Sequence, residues 1–175
     1  MSATFLSLVK ADLLRLGQAS GPRLWVKLIH PRFVPVLLIR LSQLCYGNCL
    51  FRPLSLFFSL ANVMLFGLEV TPRCKIGPGL FIPHTFGTVI GAIEIGSNVT
   101  IFQGVTFGAK FADLEFNPES RPIVENDVIV GSGAKVLGGI RIGCKAVIAS
   151  NSLVTQSLPP SSYAIGVPAI IKVRE

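Results

Sequence analysis

Aliphatic residues return every six positions through most of the second half of this chain, and that period constrains the fold more than any other feature. Val124, Val130, Val136, Ile142, Ile148 and Val154 form one unbroken series, with Ile95, Ile101 and Phe107 as an earlier run. A second series, four residues on, reads Val128, Ala134, Ile140, Ala146 and Ser152, preceded by Val99 and Val105 and, earlier still, by Leu80 and Phe86. Glycine often follows the aliphatic position, as in Ile76-Gly77, Ile95-Gly96, Val130-Gly131 and Ile142-Gly143. Simple alternation would suit a strand in any sheet, but it would not place small residues at regular corners. The hexapeptide pattern predicts a parallel β-helix, three short strands per coil, with the aliphatic residue pointing inward. It spans 67–175 and makes the fold mainly β.

Residues 1–66 follow a different grammar. Gly17, Gly21-Pro22, His30-Pro31 and Gly47-Asn48 punctuate apolar blocks of helical length, which predicts helices near 4–16, 23–29, 32–46 and 50–66. The last two are apolar around most of their circumference and need a large burial partner. This N-terminal α-helical segment also carries Lys10, Arg15, Arg23, Lys27, Arg32, Arg40 and Arg52 against Asp12, so +6 of the net +7 lies there. Cations interleaved with Leu, Phe and Val predict peripheral association with an anionic membrane surface and no nucleic-acid partner. The longest uncharged run, Pro53 to Leu68, has 16 residues, short of the ~20 that span a bilayer.

Half the residues are apolar and 14% are charged, which excludes a disordered chain. Lys10 and Asp12 interrupt the first apolar run, so it does not read as a secretory signal. Cys45, Cys49, Cys74 and Cys144 match neither a disulfide framework nor a zinc knuckle and read as buried, reduced thiols of a cytoplasmic protein, either free in the cytoplasm or held at the inner face of its membrane.

Two histidines are present. His30 precedes a proline at a helix boundary and reads as structural. His84, in Ile82-Pro83-His84-Thr85-Phe86-Gly87, falls at a coil corner and is the one residue of the β-helix suited to general-base work near neutral pH. The six-residue register breaks once, over 109–121, which predicts a loop expelled from the coil, and long loops of compact solenoids usually serve function.

On these residues the chain resembles the left-handed β-helix hexapeptide acetyltransferases: the catalytic domain of serine O-acetyltransferases and the related sugar and antibiotic acetyltransferases. The likeness rests on Gly67-Leu68-Glu69-Val70, Ile76-Gly77-Pro78-Gly79, His84-Thr85-Phe86-Gly87, Gln103-Gly104-Val105-Thr106-Phe107-Gly108, Gly131 to Gly138, and Gly166-Val167-Pro168-Ala169. The N-terminal segment resembles the short helical leader of the exopolysaccharide-biosynthesis members.

The resemblance implies a left-handed coil, a homotrimer with its active sites between neighbouring prisms, and acetyl-CoA as co-substrate without a metal. It puts the catalytic base at His84 and the carboxylate that orients it at Glu69, where the family has Asp. Gly108, Ser132, Gly133 and Ser150 align with small residues that let the cofactor approach, and Lys172 or Lys145 substitutes for a missing phosphate-binding cation. Pro83 and Ser120-Arg121 replace polar residues with which serine enzymes hold their amino acid, and Arg121 remains to bind an anionic group. The acceptor expected first is therefore a hydroxyl of a sugar or polysaccharide precursor, a small molecule or lipid-linked. Serine O-acetylation and a catalytically inactive scaffold are the alternatives.

Overall fold

A computed structural model describes residues 4–17 and 26–173. From Leu68 onward the chain winds as a left-handed parallel β-helix of three sheets. The first holds β1 (Leu68–Val70), β3 (Thr88–Ile90), β6 (Thr106–Gly108), β9 (Lys135–Leu137) and β12 (Leu153–Val154). The second holds β2 (Lys75–Ile76), β4 (Glu94–Ile95), β7 (Ile123–Val124) and β10 (Arg141–Ile142). The third holds β5 (Thr100–Ile101), β8 (Ile129–Val130), β11 (Val147–Ile148) and β13 (Ser162–Ile165), closed by the antiparallel β14 (Ile170–Val173).

The register explains the sequence period. Val124 pairs with Ile142, Val130 with Ile148, and Val136 with Val154, so one coil takes 18 residues, three hexapeptides. All six are at most 1% exposed, and each such buried side chain contributes about 1.5–3 kcal/mol. Ile95 pairs with Val124, 29 positions on, or 11 more than a coil needs. That surplus is the expelled loop, and the core passes beneath it without a change of register.

Phe86 departs from the expected inward series and is 81% exposed. Thr85 Oγ1 donates to the Phe66 carbonyl at 2.8 Å and the Gly87 amide to the Gly67 carbonyl at 2.9 Å. This pinned turn swings the Phe86 ring over Gly67, where a Cβ would lie 2.9 Å from it.

Among the described residues, three helices of ten or more residues precede the coil: α1 (Phe5–Leu14), α2 (Val34–Tyr46) and α3 (Arg52–Phe66). Thr4 caps α1, and Pro35 and Pro53 start the other two. Of the helix expected over 23–29, the described part is Val26, which is helical, and the 3-10 turn Lys27–Ile29, and residues 18–25 lie outside the described residues. Val9, Leu13, Phe33, Val36 and Ile39 join the β-helix core in one cluster, so these helices pack on the coil instead of around a core of their own.

Helix α3 is turned inside out. Its Ser55 and Ser59 hydroxyls meet Ser42 of α2 at 3.0 and 2.8 Å, and Asn62 donates to the Pro35 carbonyl at 3.0 Å. Leu56, Phe57, Leu60, Met64 and Leu65 face outward, exposed. Continued back to Cys49, this helix has 18 residues with a mean hydropathy of 1.6 and is long and apolar enough to cross a membrane, unlike the shorter uncharged run read from sequence. Of the four free thiols, Cys74 is buried as expected, whereas Cys49 is exposed because it lies in the 3-10 turn leading into α3.

Candidate active site

The corner that joins the third sheet to the first is built as a stack. The amide of Gly87 donates to Gly67 O, that of Gly104 to Phe86 O, that of Gly133 to Gln103 O, and that of Asn151 to Ser132 O, at 2.8–3.1 Å. All five corner residues, Gly67, Gly87, Gly104, Gly133 and Asn151, have positive φ between 58° and 73°. Glycine takes this conformation without strain, and asparagine is among the few side chains that tolerate it. The preceding positions carry the side chains of Gln103, Ser132 and Ser150, and His84 stands at the start of the same edge. Ser132 Oγ and Ser150 Oγ lie 3.2 Å apart.

Of the five residues expected at the cofactor, Ser132, Gly133 and Ser150 thus share one edge with His84. Gly108 and Lys172 do not. Gly108 ends β6 at the far side of the first sheet, where it pairs with Leu137 next to the loop. Lys172 lies in β14, paired with Tyr163 on the closing hairpin. Lys135 reaches this edge instead: its ammonium donates to Gly104 O at 2.6 Å and to Thr106 Oγ1 at 3.1 Å.

His84 opens onto a cleft of about 640 Å³ lined also by Pro31, Arg32, Phe66, Phe86 and Gln103. Glu69 sits outward on β1, two residues beyond Gly67, and among the described residues no hydrogen bond joins it to His84. Arg32 and Gln103 were not singled out from sequence. Gln103 lies in a matching segment, but Arg32 meets His84 only through the fold. His30 keeps its structural part, with Nδ1 accepting from the Arg32 amide at 3.2 Å.

The loop over 109–121 is ordered by its own ion pair. Asp113 accepts from the Asn117 amide at 2.8 and 3.0 Å, from Ser120 Oγ at 3.1 Å and from Arg121 Nε at 2.8 Å. The Asn117 amide, first, and then Arg121 and Ser120 hold the Asp113 carboxyl below its ordinary range. Arg121 also donates to Gly91 O at 3.0 Å and Asp113 O at 3.1 Å, and its guanidinium stacks 4.2 Å from the Phe116 ring. Arg121, expected to bind an anionic group, is thus engaged inside the loop.

Burial pushes the Cys74 thiol up to about 12, with Glu94 adding to the rise, so it is protonated at neutral pH and unsuited to attack a thioester. Among the described residues, no three His, Cys, Asp or Glu side chains gather as metal ligands would. The arrangement offers an exposed imidazole in an open cleft and a bare edge running away from it along the coils.

No protein-family model matches the chain. Known proteins do. The serine acetyltransferase of Helicobacter pylori strain J99 is 39% identical over 145 residues, 82% of either chain. That of Bacillus licheniformis is 41% identical over 109 residues, and the matched stretch is about half of that relative (49%). The soybean serine acetyltransferase apoenzyme superposes with a TM-score of 0.84 at 27% identity, over 96% of this chain and 69% of that one. A serine acetyltransferase solved with CoA gives a TM-score of 0.81 at 28% identity, over 96% and 69%. Sequence and fold agree over most of the chain, which belongs to the serine acetyltransferase family and is an acyltransferase of the O-acetyl class with acetyl-CoA as co-substrate.

Proposed function

We propose that this chain acetylates the hydroxyl of L-serine. The observation that carries this reading is the 39% identity with the Helicobacter pylori enzyme across 82% of both chains. It reverses the order read from sequence, which put a sugar or polysaccharide hydroxyl first and serine second. The departures at Pro83 and Ser120-Arg121 remain, and Arg121 is engaged inside the loop.

His84 takes the hydroxyl proton as the serine oxygen attacks the thioester carbonyl. The new C–O bond forms, the C–S bond breaks, and the departing sulfur recovers the proton from the imidazolium. Glu69, outward on β1, supplies the negative charge that favours the imidazolium. Three chains form the working unit in the cytoplasm, with the cleft of one prism facing its neighbour.

Membrane association keeps its charge argument, since the Arg40–Asp12 pair already cancels within the net +6 while Arg15, Lys27 and Arg52 meet only neutral groups, Thr100 Oγ1 at 2.8 Å, Gly17 O at 3.1 Å and the Tyr46 ring at 5.4 Å. The apolar face of α3 adds to it, and flotation with anionic liposomes tests both.

Release of CoA thiol by the purified full chain, with L-serine or neutral sugars as acceptor, tests the function. Turnover with serine above that with every sugar is expected. Turnover on a sugar alone restores the first sequence reading, and turnover on none leaves a scaffold.

A further inference from the structure

We propose that Arg32 is the anion-binding residue of the acceptor site, holding the carboxylate of the molecule whose hydroxyl His84 deprotonates. The proposal rests on the serine reading above and names the contact that reading lacks. Arg32 lines the same cleft as His84, with Gln103 and Thr85 as the other polar side chains and Pro31, Phe66, Pro83 and Phe86 as apolar wall. No carboxylate of the described residues lines that cleft. Among the described residues, no acceptor meets the Arg32 guanidinium, whose chain contributes only its backbone amide to His30 Nδ1. A permanently charged, planar donor with open hydrogen-bonding positions, beside a general base and apolar walls, fits a carboxylate in a two-pronged contact.

The placement follows from the fold. His30 Nδ1 and the His30 carbonyl, which accepts from Phe33 and Val34, fix the turn that carries Arg32 into α2. The turn bearing His84 is fixed on Phe66 and Gly67. Both side chains therefore enter the cleft from anchored backbone. Arg121, the other arginine considered for an anion, is already engaged with Asp113, Gly91 and Phe116.

Calorimetric titration of the full-length protein, wild type and Arg32→Gln, with L-serine and with L-serine methyl ester tests the contact directly. Glucose 6-phosphate and glucose form a second pair that distinguishes a phosphate from a carboxylate. Arg32→Gln should weaken L-serine binding by roughly 10-fold to 100-fold, the loss expected of a charge-assisted contact, and Arg32→Lys should recover part of it. Binding of the methyl ester should change less than twofold, as should the KM for acetyl-CoA. Wild-type protein that binds none of these ligands, an unchanged serine affinity in Arg32→Gln, or an equal loss for the ester overturns the proposal. An Arg32-dependent preference for glucose 6-phosphate over serine also overturns the carboxylate. Serine that binds through Arg32 yet receives no acetyl group sinks the proposed reaction and leaves the contact standing.

Discussion

Arg40 grips both carboxylate oxygens of Asp12, at 2.8 and 3.1 Å, in a pair whose side chains are at most 1% exposed. Asp12 Oδ1 also accepts from the amides of Gly79 and Leu80, each at 2.8 Å. Arg40 donates to the carbonyls of Ile76 and Gly77 at 2.7 and 2.6 Å. One ion pair thus ties α1 to α2 and both to the first coil, with its remaining donors and acceptors satisfied by backbone.

Asp12→Asn should be strongly destabilising, because it leaves the guanidinium buried without a counter-charge. Breaking such a pair costs about 3–5 kcal/mol, which lowers Tm by roughly 6–20 °C in a chain of this size. Burial pushes the Asp12 carboxyl above its ordinary range, against the pull of Arg40 and the two amides. Burial is thus the cost of placing this carboxylate here, and the guanidinium and the two amides offset it. Calorimetry of the variant at neutral pH is the measurement, and a Tm within 2 °C of wild type would contradict the clamp.

His84→Ala should lower kcat by at least ~100-fold with little change in the KM for acetyl-CoA, since general-base catalysis contributes about 10²–10⁴-fold. Glu69→Gln should lose less, and Glu69→Asp should retain most activity, because the carboxylate acts through the imidazole. Near-normal turnover in His84→Ala would remove the base from the mechanism.

The period of six was legible because from Val124 to Val154 each inward position is repeated 18 residues on by a paired rung, so burial selects the same residue type at each turn. The expelled loop was legible for the same reason, as the longest stretch within the coil where that selection lapses. Phe86 was misread because a pinned turn overrides the period there. Arg32 left no mark in the sequence, since its partner in the cleft, His84, is 52 positions away and comes to it only when α2 and α3 pack on the coil. Glu69 was singled out by resemblance alone, because an outward carboxylate on a strand looks like any solvated charge.

The loop should stay ordered through mild acid. Asp113 has a depressed folded value, so its contribution is fully present above the unfolded value and is lost as pH falls through the folded one. Proteolytic nicking over 109–121 should therefore be flat from neutral pH to about pH 5 and rise only below the ordinary carboxylate range. Arg121→Ala should raise nicking at neutral pH. Rapid nicking of the wild type at pH 6 would show that this network does not hold the loop.

The bare edge beside His84 makes the last expectation the most specific. The corner amides of Gly87, Gly104, Gly133 and Asn151 are used in holding one coil to the next, so a ligand lying there is met by the side chains and carbonyls of the edge. Three coil steps separate Gly87 from Asn151, about 14 Å at the spacing of neighbouring strands. Small side chains at Ser132 and Ser150 leave that length open, which suits the extended arm of acetyl-CoA with its thioester at His84. Ser150→Phe should then raise the KM for acetyl-CoA at least ~10-fold while L-serine affinity stays within twofold, and Ser150→Ala should behave as wild type. Lys172→Ala should change that KM less than Ser150→Phe does, because β14 pairs along the third sheet and not at the corner. Light scattering on the same samples keeps a change of assembly from passing as a change of affinity. An unaltered KM in Ser150→Phe, with the mass unchanged, would move the cofactor off this edge and toward Gly108 and the loop.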